Sequence, residues 1–547
     1  MDGRLLINNR RIETSEKIQS INPATLKPVG EACLASHEEC RKAVEAAKAA
    51  FPVWKDFSLK EKKKIFLNAK KILLRRSKEA ARLITEEKGS PLSESLAVEV
   101  MSSLEALDYY AHESVKSLRP VKMKHHFYLF YHKNSSFQFH PLGVTFIISP
   151  WNFPFVIPFC EILSALAAGN SVILRPSTST PLTGLMVGEI LMEAGLPPGV
   201  SNILSCRIPL AEELIVNPDV QTIMFTGSVP TGKRIMELAS RNLNNIILEL
   251  GGKDPMIVFE DADLERASSG AVWGAFMNAG QSCGSVERVY VAQEIADEFI
   301  EKVLNLTRKI KVGNPSEAGV DMGPLATSQQ LKTVEEHIED AKKRGAEILY
   351  GGSKIEELPG YFLQPTVLTN VNHSMKIMHE ETFGPTLPIM TFSDPEEALS
   401  LANDSSYGLT ASIWTKNKKK ASWMAGEIEA GTVTVNDHMF SFVEPGALWG
   451  GIKMSGIGRS HGPFGLRELV NVKFVSLDFI TKKNQLWWYP YDHSWHSILE
   501  NSLFLFHHNR LKEKAKSLLS LVSHFPRILE GSPLRNYIKS VPRFFRK

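Results

Sequence analysis

Cys283, Glu249 and Asn152 are the residues of this chain whose types and settings could do covalent chemistry together. The cysteine closes the tetrapeptide Gly280-Gln281-Ser282-Cys283. The glutamate sits in Leu248-Glu249-Leu250-Gly251-Gly252-Lys253, and the asparagine in Pro150-Trp151-Asn152-Phe153-Pro154. They supply a thiol, a carboxylate and a side-chain amide. A thiolate attacks a carbonyl carbon. The amide N–H, with the backbone N–H of Cys283, holds the oxyanion, and the carboxylate activates water. An aldehyde attacked in this way gives a thiohemiacetal. Hydride loss to a nicotinamide leaves a thioester, which water releases as the acid. The set therefore fits oxidation of an aldehyde to a carboxylic acid.

Taken singly, each residue has a plainer explanation. A cysteine in a large chain is more often a buried structural side chain, a strand-end glutamate more often reaches solvent, and an asparagine between prolines is a common turn residue. Their settings favour chemistry. The pattern predicts a helix over 263–279 that breaks at Gly280, which puts Cys283 in a loop between helix and strand. Glu249 ends an apolar strand, where desolvation raises a carboxyl pKa towards the working range of a base. Upstream, Phe225-Thr226-Gly227-Ser228 follows a strand and opens a helix containing Gly232, a turn at which a pyrophosphate can approach a helix N-terminus. This G-S-x-x-x-G spacing is not the G-x-G-x-x-G fingerprint. Arg175-Pro176-Ser177 ends another strand, where an adenosine ribose could rest at a sheet's carboxyl edge.

The elements that must position these residues alternate. Strands are expected at 143–149, 171–174, 202–205, 222–225 and 245–249, with helices over 162–168, 181–194 and 231–241 between them. After Gly252 the pattern restarts, with strands at 288–292, 410–414 and 432–436 and helices over 296–306, 329–344 and 418–428. Strand–helix–strand alternation implies an α/β fold with parallel, doubly wound sheets.

With 547 residues, two or three substructures are expected, and a net charge of +3 argues against nucleic acid as a partner. Five scattered cysteines match neither a metal knuckle nor a disulfide framework, so a reducing, cytoplasmic setting and no metal are expected. The N-terminus carries no long apolar h-region. Residues 141–160 are apolar enough to mimic a membrane span, but Pro150, Pro154 and Pro158 interrupt them, which favours a buried strand, a turn and a helix start.

Five motifs now stand in order: Pro150–Pro154, Phe225–Ser228, Leu248–Lys253, Gly280–Cys283 and Glu381-Thr382-Phe383-Gly384-Pro385. From about Ile21 to Asp478 the chain strongly resembles the aldehyde dehydrogenase superfamily. The resemblance implies a Rossmann-like NAD(P)-binding domain (1–122 and 142–251), an α/β catalytic domain (252–446) and a small β oligomerisation flap (123–141 and 466–481) that makes a homodimer or homotetramer. It implies Cys283 as nucleophile, Glu249 as base and Asn152 as oxyanion donor. Glu381 and Phe383 match the pair that holds the nicotinamide ribose and ring. Trp151, Arg175, Ser177, Thr178, Gly227, Ser228 and Leu250 match contacts to the rest of NAD or NADP, and Gly450–Gly456 matches a late glycine-rich turn beside the site.

Three positions depart from the family's pattern. Arg175 stands where Lys is usual, which keeps the charge and adds a planar fork. Thr178 replaces a glutamate that repels a 2′-phosphate in many NAD-preferring members, so NADP is not excluded. Glu287 follows the cysteine loop where a small residue is common, either as a tunnel or as a structural carboxylate. CoA-acylating relatives commonly lack the base glutamate, so Glu249 speaks against that alternative. A purely structural member of the fold has no need of Cys283, Glu249 and Asn152 together.

About seventy residues extend past the resemblance. Residues 482–547 carry twelve Lys or Arg and four Asp or Glu, with Trp487, Trp488 and Trp495 near their start and Arg543–Lys547 at their end. Aromatic and basic residues mixed on short helices suit a peripheral membrane contact and a hydrophobic, medium- or long-chain aldehyde; the alternative is a tail packed on protein. No run approaches the ~20 apolar residues of a span.

Overall fold

The computed structural model describes residues 2–127, 130, 131, 133–478, 488, 489, 491 and 493–524. They form two compact units, one made of residues up to Leu118 with His140–Asn471, the other of Arg119–Phe139 with the described residues from Val472 on.

The first unit is built on two sheets. The eight-stranded sheet runs, edge to edge, Gly456–Ile457, Asn245–Glu249, Val220–Thr226, Val144–Ile148, Ser171–Arg175, Ser201–Ile203, Leu5–Ile7 and Arg10–Ile12. Its five central strands are parallel. The chain winds outward from Val144–Ile148 through the next two strands, then returns to add Val220–Thr226 on the other side. That reversal opens a crevice at the carboxyl ends of Val144–Ile148 and Val220–Thr226, the usual place for a ligand in such a sheet. The seven-stranded sheet runs Glu347–Tyr350, Thr366–Thr369, Thr386–Phe392, Val286–Ala292, Asp254–Val258, Thr410–Trp414 and Thr432–Val435, parallel except for its first strand. Only Leu250–Lys253 separate the last parallel strand of one sheet from Asp254–Val258 of the other.

Two boundaries differ from the sequence expectation. The first helix after Val144–Ile148 spans Val156–Ala168 rather than beginning near Ile162, and all thirteen of its residues are buried. Pro158 does not interrupt it, because the N–H that proline lacks is unneeded in a helix's first turn. The helix expected to reach Ala279 stops at Phe276; Asn278 and Ala279 then take left-handed backbone, with φ of 55° and 54°. In addition, Gly462–Glu468 is helical and belongs to the first unit, while Val121–Lys122 pairs within the second.

A long helix, Leu59–Lys88, ends against Phe153. A capping box between Ser58 and Glu61 starts it, and Gly89, at φ 93°, ends it in the left-handed cap that glycine favours. Its last residue, Lys88, is buried and pairs with buried Glu99 at 2.9 Å. Glu99 lies in a π-helical turn, Ser95–Met101, and its other oxygen accepts the backbone N–H groups of Phe155 (2.8 Å) and Val156 (3.2 Å). Lys88 Nζ also stands 4.5 Å from the centre of the Phe153 ring. One buried ion pair thus holds both the Phe153 ring and the start of the Val156–Ala168 helix.

In the second unit, Asn134–Pro141 lies between Val121–Lys122 and Val470–Leu477 in a three-stranded sheet, with the Phe137 and Phe474 rings 5.9 Å apart. Two helices, His493–His507 and Leu511–Ser523, pack together through Trp495, Ile498 and Leu521. They leave Leu499, Leu503, Leu511, Leu518, Leu519 and Val522 exposed. Among the described residues no helix is long and apolar enough to cross a membrane. Trp487 and the basic end Arg543–Lys547 lie outside the described residues.

Breaking the Lys88–Glu99 pair leaves an uncompensated buried charge. Lys88→Met is expected to cost about 3–5 kcal/mol of stability. Thermal unfolding reads this as a clear drop in Tm; an unchanged Tm means that the pair carries no structural weight.

Candidate active site

The crevice at the sheet reversal deepens into a cavity of about 250 Å³, lined by Trp151, Asn152, Gly227, Ser228, Glu249, Leu250, Cys283, Glu381 and Phe383, together with Pro150, Thr226, Gly251, Gln330 and Thr333. Nine of the twelve residues expected at the site therefore meet in one place. Arg175, Ser177 and Thr178 do not line it. They stand half-buried at the carboxyl end of Ser171–Arg175, one strand beyond Val144–Ile148. The Arg175 side chain donates from Nε to the Cys206 carbonyl at 3.0 Å, and Ser177 Oγ accepts the Ser179 N–H at 3.2 Å.

The nucleophile loop is held from both sides. Asn278 donates through Nδ2 to the carbonyls of Asn152 (3.0 Å) and Gln281 (2.9 Å), and Asn152 donates its own amide to Gln281 O at 3.2 Å. Asn tolerates left-handed backbone, which is what this bridge requires of residue 278. One amide N–H of Asn152 is engaged in the loop, and the amide has a second to offer an oxyanion. Gly252 approaches so closely that a Cβ there would fall 2.4 Å from the Cys283 carbonyl oxygen. Burial pushes the Cys283 thiol far up, and the carboxyls of Asp254, Glu381 and Glu249 push it further. A thiol so placed needs a base close by to give up its proton.

Glu249 is buried at its strand's end. Oε1 accepts the Ser460 N–H at 3.1 Å, and Oε2 has no hydrogen-bond partner. Burial raises its pKa to about 8, against the pull of the Ser460 N–H and with a further push from Glu161. It is therefore a base that half-ionises near neutral-to-alkaline pH, with one oxygen free to act.

Glu287 settles as a structural carboxylate. It pairs with buried Lys253 at 2.5 Å and accepts the N–H groups of Thr382 (2.8 Å) and Phe383 (2.9 Å). Gln330 Nε2 holds the carbonyls of the same two residues at 2.9 and 3.0 Å. This grip keeps Phe383 in left-handed backbone, φ 53°, and its ring edge-on to Trp151 at 5.6 Å between centroids. Neighbouring Glu381 accepts the Gly252 N–H at 3.0 Å, and a Cβ on Gly251 would collide with its carboxylate at 2.3 Å. Burial raises Glu381 to about 8, with Glu287 adding to the shift.

The residues present fit a dinucleotide. Gly227 and Ser228 open the helix Val229–Ala239, whose first-turn N–H groups receive no side-chain cap. The helix approaches Leu250 so closely that a Cβ on Gly232 would lie 2.6 Å from that side chain. Beside the cysteine loop is an apolar wall. Trp449 lies within 3.1 Å of where a Cβ on Gly284 would sit, Phe442 packs on Trp449 at 5.2 Å, and Phe153 packs on Phe442 at 5.4 Å.

Several residues here were not anticipated from sequence. Gln330, Ser460 and Asn278 act through bonds made across long chain separations, which no local pattern announces. Glu161 did carry a signal, as the single charge in the otherwise apolar VIPFCEILSALAA.

A sequence profile described as "Aldehyde dehydrogenase family" matches residues 11–475. The chain is 37% identical over 490 residues to the betaine aldehyde dehydrogenase of Bacillus subtilis (strain 168), covering 87% of this chain and 97% of that protein. It is 34% identical to the NADP(+) succinate-semialdehyde dehydrogenase GabD of Escherichia coli (strain K12), covering 86% and 97%. The NAD+ complex of an aldehyde dehydrogenase from Bacillus cereus superposes with a TM-score of 0.84 at 33% identity, covering 88% of this chain and 97% of that one. The ordered motifs, the two sheets that carry them and these likenesses agree: the chain belongs to the aldehyde dehydrogenase family, whose members are NAD(P)-dependent enzymes that oxidise aldehydes.

Proposed function

We propose that the chain performs hydrolytic oxidation, with Cys283 as nucleophile, Glu249 as base and Asn152 as oxyanion donor. The observation that carries this reading is the meeting of these three buried or half-buried groups in one cavity. The Cys283 proton passes to cavity water, its sulfur bonds the aldehyde carbon, and the C=O π pair moves onto the oxygen. The oxyanion so formed accepts the Asn152 amide and the Cys283 N–H. NAD or NADP would be held by Trp151, Gly227, Ser228, Leu250, Glu381 and Phe383, and would supply the acceptor for the hydride that the carbon must lose to become the thioester. Glu249 then takes a proton from water, hydroxide adds to the thioester carbon, and the thiolate leaves. Arg175, Ser177 and Thr178 meet the adenosine end in this reading, which their position at the next strand's carboxyl end supports. Thr178 presents no carboxylate to a 2′-phosphate, which supports acceptance of NADP.

For the substrate, we favour an aldehyde with an apolar body, supported by the Phe153–Phe442–Trp449 wall beside Cys283. Aromatic faces also attract quaternary ammonium groups, so betaine aldehyde, named for the B. subtilis relative, is the informative competitor. The exposed Phe474, Val472 and Phe137 of the three-stranded sheet support a homo-oligomer. The exposed leucines of His493–His507 and Leu511–Ser523, with Arg510, Lys512, Lys514 and Lys516 among them, support peripheral contact with anionic membrane.

Cys283→Ala is expected to lose all oxidation while still binding cofactor; residual turnover removes the covalent route. Glu249→Gln is expected to keep a pre-steady-state burst of reduced cofactor but to stall afterwards. In the wild type, steady-state turnover rises as pH climbs through about 8, since only ionised Glu249 takes water's proton. Loss of the burst along with turnover would instead place Glu249 at thiol activation.

A screen of hexanal, decanal and betaine aldehyde, each with NAD and NADP, is expected to show the highest kcat/KM for the long apolar substrate and activity with both cofactors. Thr178→Glu shifts preference to NAD. Preference for betaine aldehyde overturns the apolar reading, and silence with NADP overturns the role of Thr178.

The full chain is expected to sediment with anionic liposomes and a truncation after Lys483 to remain in solution. Equal behaviour of the two ends the membrane proposal. A monomer mass for the full chain by light scattering ends the oligomer proposal.

A further inference from the structure

Glu161 is a second buried carboxyl at this site. It is the one charged side chain in the Val156–Ala168 helix, and all of that helix is buried. Its Oε1 accepts the Thr226 hydroxyl at 2.8 Å, while Oε2 has no partner. Thr226 is the residue paired with Glu249 across the parallel strands, and the next N–H, of Gly227, donates to the Glu249 carbonyl at 3.0 Å. Thr226 also lines the cavity. Two buried carboxyls therefore flank one threonine, each with an unpartnered oxygen.

We propose that Glu161 is the proton acceptor for Glu249: with both carboxyls ionised beforehand, Glu161 takes up the proton that each hydrolysis deposits on Glu249, and the two then hold one proton between them until it leaves. This rests on Glu249 being the base. In the hydrolytic step a water O–H proton passes to Glu249, the oxygen bonds the thioester carbon, and the C–S bond breaks with its electron pair on Cys283 sulfur. Glu249 must then lose that proton before it can serve again, and little of its side chain is exposed. The proton passes to the Glu161 carboxylate, and half-buried Thr226 gives it a way to the cavity water.

The surrounding charges suit this exchange. Arg459 faces Glu249 and favours its carboxylate, and the Cys283 thiol faces it from the other element. Around Glu161 stand only the Thr226 hydroxyl, which favours its carboxylate, and the Cys160 thiol on its own helix, among the described groups that act on it or that it acts on besides Glu249. Burial raises both carboxyls to about 8, so proton transfer between them is close to thermoneutral. The Glu161 carboxylate makes ionisation of Glu249 harder, as a like charge does.

The test is the pH dependence of steady-state turnover, with the burst recorded alongside, in the full-length enzyme. Glu161→Gln keeps an oxygen for the Thr226 hydroxyl and cannot carry a proton. It is expected to retain the burst, to slow steady-state turnover about tenfold or more, and to move the acid midpoint downward by about one pH unit, since a like charge beside Glu249 is gone. A side chain that merely fills space would change the rate without moving the midpoint, so an unmoved midpoint overturns the proposal. Should Glu161→Gln fail to fold, Thr226→Val gives the same readout. Loss of the hydroxyl makes Glu161 hold its proton more firmly, relieves the repulsion on Glu249 and lowers the midpoint; an unmoved midpoint again overturns the proposal. Normal turnover in Glu249→Gln would instead remove the base assignment itself, whereas a stalled Glu249→Gln beside a Glu161→Gln with the wild-type midpoint removes only the role of Glu161.

Discussion

Water exclusion at the junction of the two sheets is the constraint on which the rest of this structure depends. Leu250–Lys253 join one sheet to the other with no slack, and the groups nearest that span, Glu249, Asp254, Glu287, Glu381 and Lys253, are all buried or deeply enclosed. Only Glu287 and Lys253 neutralise each other directly. Burial raises Glu249, Asp254 and Glu381, because a charge taken out of water without a partner is costly. The same dryness gives the site its working range: it makes a strand-end glutamate basic, and it keeps the thiol protonated until a base is in place.

Rigidity around this dry junction comes from backbone groups rather than from further charges. Glu287 and Gln330 clamp four backbone polar groups of Thr382 and Phe383, while Glu99 seats two N–H groups at the start of the Val156–Ala168 helix. Buried carboxylates that accept backbone N–H groups are well satisfied, and Glu287 in this way fixes the segment whose Phe383 side chain faces the cavity.

The alternation of apolar strands and helices made the α/β class legible, and the glycines of Leu248–Lys253 and Gly280–Cys283 marked the turns that matter. Glu249, Cys283 and Asn152 could be read because each ends or follows a regular element and so has a local signature. The failures have local causes too. Pro158 looks like a helix breaker until its place in the first turn is known, and the apolar run to Ala279 hides a left-handed bend that only the bonds of Asn278 explain. Glu287 was ambiguous because its partner Lys253 lies 34 residues earlier in sequence. Arg175, Ser177 and Thr178 were legible as a strand end but lie beside the cavity rather than in it.

The triangle of Asn152, Asn278 and Gln281 has a consequence for how such a site can diverge. Because Asn152 bonds the carbonyl of Gln281 and Asn278 bonds both, the group that would hold the oxyanion and the loop that carries the sulfur share one lattice of amide contacts. Neither can be displaced alone. Substitutions at Asn152 and Asn278, whose side chains make these bonds, are tied by epistasis, so variation in substrate range is drawn more readily from the wall of Phe153, Phe442 and Trp449.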